Sequence, residues 1–186
     1  MTIGFALCGS YCTYDRVFPV IEALSKENKV IPILSEAAYA TDSRFGTAEH
    51  WKRKLEEICG CPPLHLISQV EPIGPKGLLD ILVIAPCTGN TLAKLAHSIA
   101  DGPVTMAAKS HLRNGRPVLV AVSTNDGLAG AGENIGRLLA RKHYYFVPFG
   151  QDDSLKKPTS LIADFAQIPQ AMEGAMAGQQ IQPMLL

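Results

Sequence analysis

Apolar runs alternate with stretches whose apolar residues recur at helical spacing, and this alternation persists along the whole chain. Ile3–Cys8 is a short apolar run that stops at Gly9-Ser10, which predicts a buried strand. From Asp15 to about Ser25, Val17, Ile21 and Leu24 fall on one side, predicting a helix. Pro19 lies in it and is expected in the first turns, where a missing N–H is tolerated. Val30–Leu34 reads as a second strand. Ser35 to Ala48 has no clear period and reads as a loop, and the steps Trp51, Leu55, Ile58 mark a charged amphipathic helix.

Residues 62–79 are broken by Pro62, Pro63, Pro72 and Pro75. Ile81–Ala85 predicts a third strand. Leu92, Leu95, Ala96 and Ile99 predict a helix that Asp101-Gly102-Pro103 stops. Val104–Leu112 reads as helix, Pro117–Val122 as strand four, Ile135–Lys142 as helix and Tyr144–Pro148 as strand five. Leu161 to Met176 reads as a closing helix. Strands alternating with helices predict a parallel sheet covered on both faces. The expected fold is a three-layer α/β/α sandwich with a five- or six-stranded parallel sheet, Rossmann-like or flavodoxin-like, in the order 2-1-3-4-5. With no linker, repeat or low-complexity tract, residues 1–186 are expected to form a single domain.

Composition narrows the function classes. Lys+Arg and Asp+Glu both total 17, so the chain lacks the basic excess of a general nucleic-acid or membrane surface. That neutrality also leaves little repulsion between copies. No apolar run is long enough to span a bilayer, and the opening MTIGFALCGS has no basic n-region. A cytoplasmic location is therefore expected. Cys8, Cys12, Cys59, Cys61 and Cys87 are odd in number and lack framework spacing, as reduced thiols would. Cys59-Gly60-Cys61 lacks the two-residue gap of a metal knuckle, and no metal is expected.

In such a sheet, ligands bind beyond the carboxyl ends of the strands, near the point where strand order reverses. Four strand ends carry small polar segments: Gly9-Ser10, Ser35, Thr88-Gly89-Asn90-Thr91 and Ser123-Thr124-Asn125. Backbone N–H groups at helix starts, with Ser and Thr hydroxyls, make a site for a phosphate, and glycine permits close approach. A structural role competes with this at each end, since Thr88 is a good helix cap worth about 1 kcal/mol. Four such ends on one rim exceed what capping requires. GLAGAGENIG (127–136) does not supply a dinucleotide fingerprint, because its third glycine is displaced and the strand ends several residues earlier.

The segment IAPCTGNTLAKLA (84–96) resembles the Pro-Ala-Ser-Ala-Asn-Thr signature of the homo-oligomeric FMN-binding superfamily of cysteine decarboxylases and flavin prenyltransferases. Nearly the whole chain resembles, more specifically, the B-subunit family of dipicolinate synthases. The resemblance rests on LCGSYCTYDRVFPVIEAL (7–24), SRFGTAEHW (43–51), APCTGNTLAKLA (85–96), MAAKSHLRNGRPV (106–118), STNDGLAG (123–130) and FVPFGQDDSLKKP (146–158). It implies FMN held by Gly9, Ser10, Ser35, Pro86, Thr88, Gly89, Asn90, Thr91, Ser123 and Asn125. It also implies flavin-dependent oxidation of dihydrodipicolinate to dipicolinate in the mother cell of a sporulating bacterium. A dipicolinate synthase A subunit as partner, NADP through that subunit, and a homo-oligomer of three or more copies follow from the same resemblance.

The chain departs from the decarboxylase pattern. Where those enzymes carry a catalytic His before strand three, it offers Pro72 beside Glu71, and His65 is the nearest imidazole upstream. The Met-Asn segment after strand four appears as Thr124-Asn125 without a following Met-Trp. Decarboxylation of a cysteine is therefore not expected, and no catalytic base is assigned. Lys109 and Arg113, four apart on one helix, form a candidate clamp for substrate carboxylates. Lys156-Lys157 is a second candidate. A flavin prenyltransferase-like enzyme, or a non-catalytic scaffold for the partner subunit, are the alternative functions.

Overall fold

The structure, a computed structural model, describes residues 1–186. Its elements are β1 (Thr2–Leu7), α1 (Tyr14–Ser25), β2 (Lys29–Leu34), α2 (Glu36–Ala40), α3 (Ala48–Cys59), α4 (Ile67–Val70), β3 (Ile81–Cys87), α5 (Gly89–Ala96), α6 (Pro103–Leu112), β4 (Val118–Thr124), α7 (Gly132–Leu139), β5 (Tyr144–Phe146), β6 (Phe149–Asp153), β7 (Lys157–Ala163) and α8 (Ile168–Met176). Five strands pair in parallel in the order β2-β1-β3-β4-β5, as the alternation predicts. The centre of the sheet is apolar on both faces. β3 is buried at every position, and β1 and β4 at all but one. Such continuous runs are what a sheet covered on both sides requires.

Pro32 lies in β2, an edge strand, where the absent N–H costs no ladder bond. Leu64 extends that edge by one bridge to Ile33. At the opposite edge the side chain of Gln180 stands in for a further strand, donating to Phe146 O at 2.7 Å and accepting from Phe146 N at 2.7 Å. α1 and α8 pack on one face of the sheet and α5, α6 and α7 on the other. One cluster of 49 buried apolar residues runs through both layers.

The sheet departs from the expected architecture in its last two strands. It has seven strands and is mixed, because β6 and β7 form an antiparallel hairpin where a loop and the start of a long helix are expected. The closing helix accordingly begins at Ile168, not Leu161. Leu161, Ile162 and Ala163 are a short apolar run, and three residues carry no period that separates strand from helix. β4 forks here. Val118, Leu119 and Val120 pair with β5, while Ser123 and Thr124 pair with Ile162 and Leu161 of β7.

Two smaller differences concern helices. Ser35–Ala48 contains α2, too short for a period to show. Pro19 is the sixth residue of α1 and so stands inside the helix, not in its first turn.

Candidate functional site

The loops after β1, β3 and β4 are held together by buried side chains. Tyr14 is 1% exposed, and its hydroxyl donates to Cys8 O at 2.9 Å. Its ring meets Trp51 edge-on, with centroids 5.1 Å apart. Thr13 Oγ1 donates to Ser10 O at 2.8 Å, and the Tyr11 hydroxyl donates to Ala37 O at 2.8 Å, bringing the start of α2 alongside. Ser10 Oγ and Ser123 Oγ stand 2.7 Å apart, joining loops that leave strands on either side of β3. Only one proton of that pair is needed between them, so the other remains free to donate.

Two clefts meet at Gly9 and Thr88. The first, of about 250 Å³, is lined by Gly9, Ser35, Thr88, Asn90 and Thr91, and by the start of α6 through Gly102, Val104 and Thr105. The second, of about 260 Å³, is lined by Ser10, Cys12, Ser123, Asn125 and, from the hairpin, Asp152, Lys157 and Ser160. Eight of the ten residues expected at a cofactor therefore line one continuous rim. Pro86 and Gly89 do not. Pro86 is buried in β3, and Gly89 shapes the backbone. A Cβ at Gly89 would lie 2.7 Å from Thr124 Oγ1 and 2.9 Å from Asp126 Oδ1, so only glycine lets α5 start this close to the β4 loop.

Hydroxyls at two helix starts behave differently. Ser35 Oγ accepts from Ala38 N at 3.2 Å and caps α2. Thr88 has the extended backbone of a cap, yet its side chain accepts nothing from α5. Its Oγ1 lies 3.2 Å from Thr91 Oγ1, and Thr91 in turn donates to Cys8 Sγ at 3.3 Å. The first turn of α5 is thus left with the N–H groups and partial positive charge of an open helix terminus. An arriving anion can also take the Thr88 proton, because the Thr91 oxygen it leaves is only an acceptor.

Fixed charge contributes little. Lys94 at the first cleft is held by Asp101 at 2.9 Å, and Lys157 at the second by Asp152 at 2.6 Å. Beneath the rim, burial pushes the Cys8 thiol up to about 11 and raises Cys87 as well, so both stay neutral near pH 7. The rim offers neutral donors and helix starts over a floor of neutral thiols, with the Glu36 carboxylate lining the first cleft where it meets the neighbouring hollow, and the donors suit a phosphate.

The largest hollow, about 860 Å³, opens beside the first cleft and shares Glu36 with it. Its lining has two carboxylates, Glu36 and Glu71, and no Lys or Arg, which disfavours a phosphate. His65 lies there, stacked on Tyr39 with centroids 3.8 Å apart. Lys109 and Arg113 do share a helix face, as their spacing predicts, but that face lines a third cavity that shares only Thr105 with the first cleft. Their face of α6 looks toward the end of α5 and β5, not toward the strand ends.

Sequence reasoning missed Gly102 and Thr105, because Asp101-Gly102-Pro103 serves as both the stop of one helix and the start of the next. Pro at the first position of α6 was the available signal. It also missed Ser160, which the hairpin brings to the rim.

The pattern of the family described as Flavoprotein matches residues 1–130. The chain is 47% identical over 185 residues to the B subunit of dipicolinate synthase from Bacillus subtilis (strain 168), covering 99% of this chain and 92% of that protein. The crystal structure of the corresponding B subunit from Bacillus halodurans is similar at a TM-score of 0.91 and 46% identity, over 100% of this chain and 95% of that one. The fold also resembles Burkholderia xenovorans DmrB in complex with FMN, with a TM-score of 0.69 and 18% identity over 95% of each chain.

Proposed function

This chain belongs to the flavoprotein family, among the B subunits of dipicolinate synthases, and from that premise we propose that it binds FMN in the paired clefts. We further propose that it oxidises dihydrodipicolinate to dipicolinate together with a partner A subunit. The observation that carries the cofactor reading is the uncapped start of α5 facing a rim of hydroxyls with no free cation. The reaction reading rests on the 47% identity to a dipicolinate synthase chain.

Gly9, Ser35, Thr88, Asn90 and Thr91 would hold the phosphate end, with the starts of α5 and α6 supplying N–H donors. Ser10, Ser123 and Asn125 would hold the remainder, while Pro86 and Gly89 fix the backbone that lets α5 approach. FMN, when bound, supplies an acceptor for the hydride lost as the substrate ring becomes aromatic, and the accompanying proton leaves to solvent. Lys157, at the mouth of the second cleft, would meet a substrate carboxylate by exchanging its Asp152 partner for it. Tyr14 and Trp51 keep the β1 loop in place from below.

The whole chain would act as one flavin-binding unit in the cytoplasm of a sporulating mother cell. It would assemble as a homo-oligomer and receive or pass electrons through NADP on the A subunit.

The test is to purify the chain with FMN, record its visible spectrum, and assay dipicolinate formation from dihydrodipicolinate with and without the A subunit. A yellow protein that forms dipicolinate is expected. Turnover of a prenyl phosphate alone would point to the flavin prenyltransferase-like alternative. A protein left colourless by FMN would point to a scaffold.

A further inference from the structure

On the far side of Thr105 from the first cleft lies a cavity of about 470 Å³, built by the end of α5, the outer face of α6, Arg141 and Tyr144. Its size lies within the roughly 300–1,000 Å³ of small-molecule sites. Leu95, Ile99, Leu112 and the Tyr144 ring give it apolar walls. Three cations, Lys109, Arg113 and Arg141, line it, and no carboxylate does.

That imbalance stands out in a chain with 17 cationic and 17 acidic residues. Of the 17 cationic side chains five are ion-paired, Lys52 and Arg53 with Glu49, Lys94 with Asp101, Arg137 with Glu133, and Lys157 with Asp152, and what sets this group apart is that three cations line one hollow without a carboxylate. Lys109 and Arg113 make no ion pair. Their position at the end of α6 suits the negative end of the helix dipole, which accounts for either charge alone. Arg141, held at the end of α5, adds a third positive charge to the same apolar hollow. Arg141 is already fixed, donating to Leu95 O at 3.0 Å, Ala96 O at 2.6 Å and Ser98 Oγ at 3.2 Å. It contributes positive potential from a rigid position, while Lys109 and Arg113 retain free donors. Tyr144 is 9% exposed, and burial raises its phenol pKa still further above neutrality.

We propose that this cavity is a binding site, separate from the paired clefts, for a small planar ring bearing two carboxylates. The ring would lie between Leu95, Ile99, Leu112 and Tyr144. The carboxylates would meet Lys109 and Arg113, whose side chains leave the helix one turn apart, about 5–6 Å at Cβ. The inference shares with the proposed function only the class of molecule handled, and it holds whether or not the clefts take FMN.

The test is calorimetric titration of the full chain with pyridine-2,6-dicarboxylate in metal-free buffer, with and without saturating FMN, using pyridine as the uncharged control. The expected result is dicarboxylate binding in both states and none of pyridine. The K109Q and R113Q variants should each weaken that binding, and K109Q/R113Q should weaken it at least tenfold. FMN affinity should be unchanged in all three, and K109R should retain binding. The inference is overturned if the dicarboxylate does not bind, if saturating FMN displaces it, or if K109Q/R113Q binds it as well as the parent chain. Failure of the parent chain to bind FMN would overturn the cofactor reading and leave this one standing.

Discussion

Two helices begin at the same rim and solve the same problem in opposite ways. At α2, Ser35 spends a lone pair on its own helix, accepting from Ala38 N at 3.2 Å. At α5, Thr88 has cap-like backbone but turns its hydroxyl toward Thr91, 3.2 Å away, and caps nothing. A side-chain cap satisfies one of the orphan N–H groups of a helix start and is worth about 1 kcal/mol. The chain forgoes that stabilisation at α5, beside a glycine that no other residue can replace without moving Thr124 or Asp126. Under the proposed function, the N–H groups left free at the start of α5 are the ones that meet the phosphate. The capped neighbour is the internal control.

The largest expected effect separates the site from the body beneath it. α6 opens its first turn to the cleft, but its other end is plugged into the core by His111, which is 1% exposed. Burial pushes the His111 pKa from 6.5 down to about 4, outweighing the hydrogen bond with Pro117 O. Between those values the unfolded chain binds a proton that the folded one refuses, so stability is full above about pH 6.5 and falls as pH approaches 4. The limiting loss is about 3 kcal/mol. Denaturant titrations across that range should show the decline, and His111→Gln should flatten it.

Next in size is Thr88→Val, which removes the hydroxyl and preserves the shape. A hydrogen bond to a charged group is worth about 1.5–3 kcal/mol, so FMN affinity should fall about 10- to 100-fold. The melting temperature of the protein without FMN should barely move, because no cap is lost. An affinity unchanged and a melting temperature lowered would reverse the roles assigned to the two helix starts.

Ser35→Ala should show the mixed pattern, with about 1 kcal/mol of stability lost alongside weaker FMN binding. Smallest for the ligand is Thr47→Ala. Thr47 Oγ1 accepts from His50 N at 3.1 Å and caps α3 away from the clefts. Its loss should cost about 1 kcal/mol of stability and leave FMN affinity unchanged. Flavin fluorescence titration and thermal melts of the three variants together resolve these outcomes.

Legibility in the sequence followed burial. The five parallel strands are continuous apolar runs because both faces of the sheet are covered, their alternation with helices implies parallel pairing, and the order 2-1-3-4-5 is one of two common orders for such sheets. The rim was legible for the same reason, since topology places every parallel strand end on one side. The hairpin of β6 and β7 was not. Lys157–Ala163 is exposed at one end and buried at the other, and its polar half gives no alternation strong enough to read. α2 hid because one turn has no period. The start of α6 hid behind a Gly-Pro that also ends the preceding helix. Lys109 and Arg113 were placed correctly on one face, but spacing within a helix does not tell which neighbour that face meets. Contacts between elements decide that, and they put the pair against α5 and β5.

The central claim is that the rim grips a phosphate. The measurement that reaches it most directly is a comparison of FMN with riboflavin, which differ only in that group, by fluorescence titration of the purified chain. With two or more charge-assisted hydrogen bonds to the phosphate, FMN should bind at least about 100-fold more tightly. Equal affinities for the two flavins would contradict the account, whatever the colour of the protein.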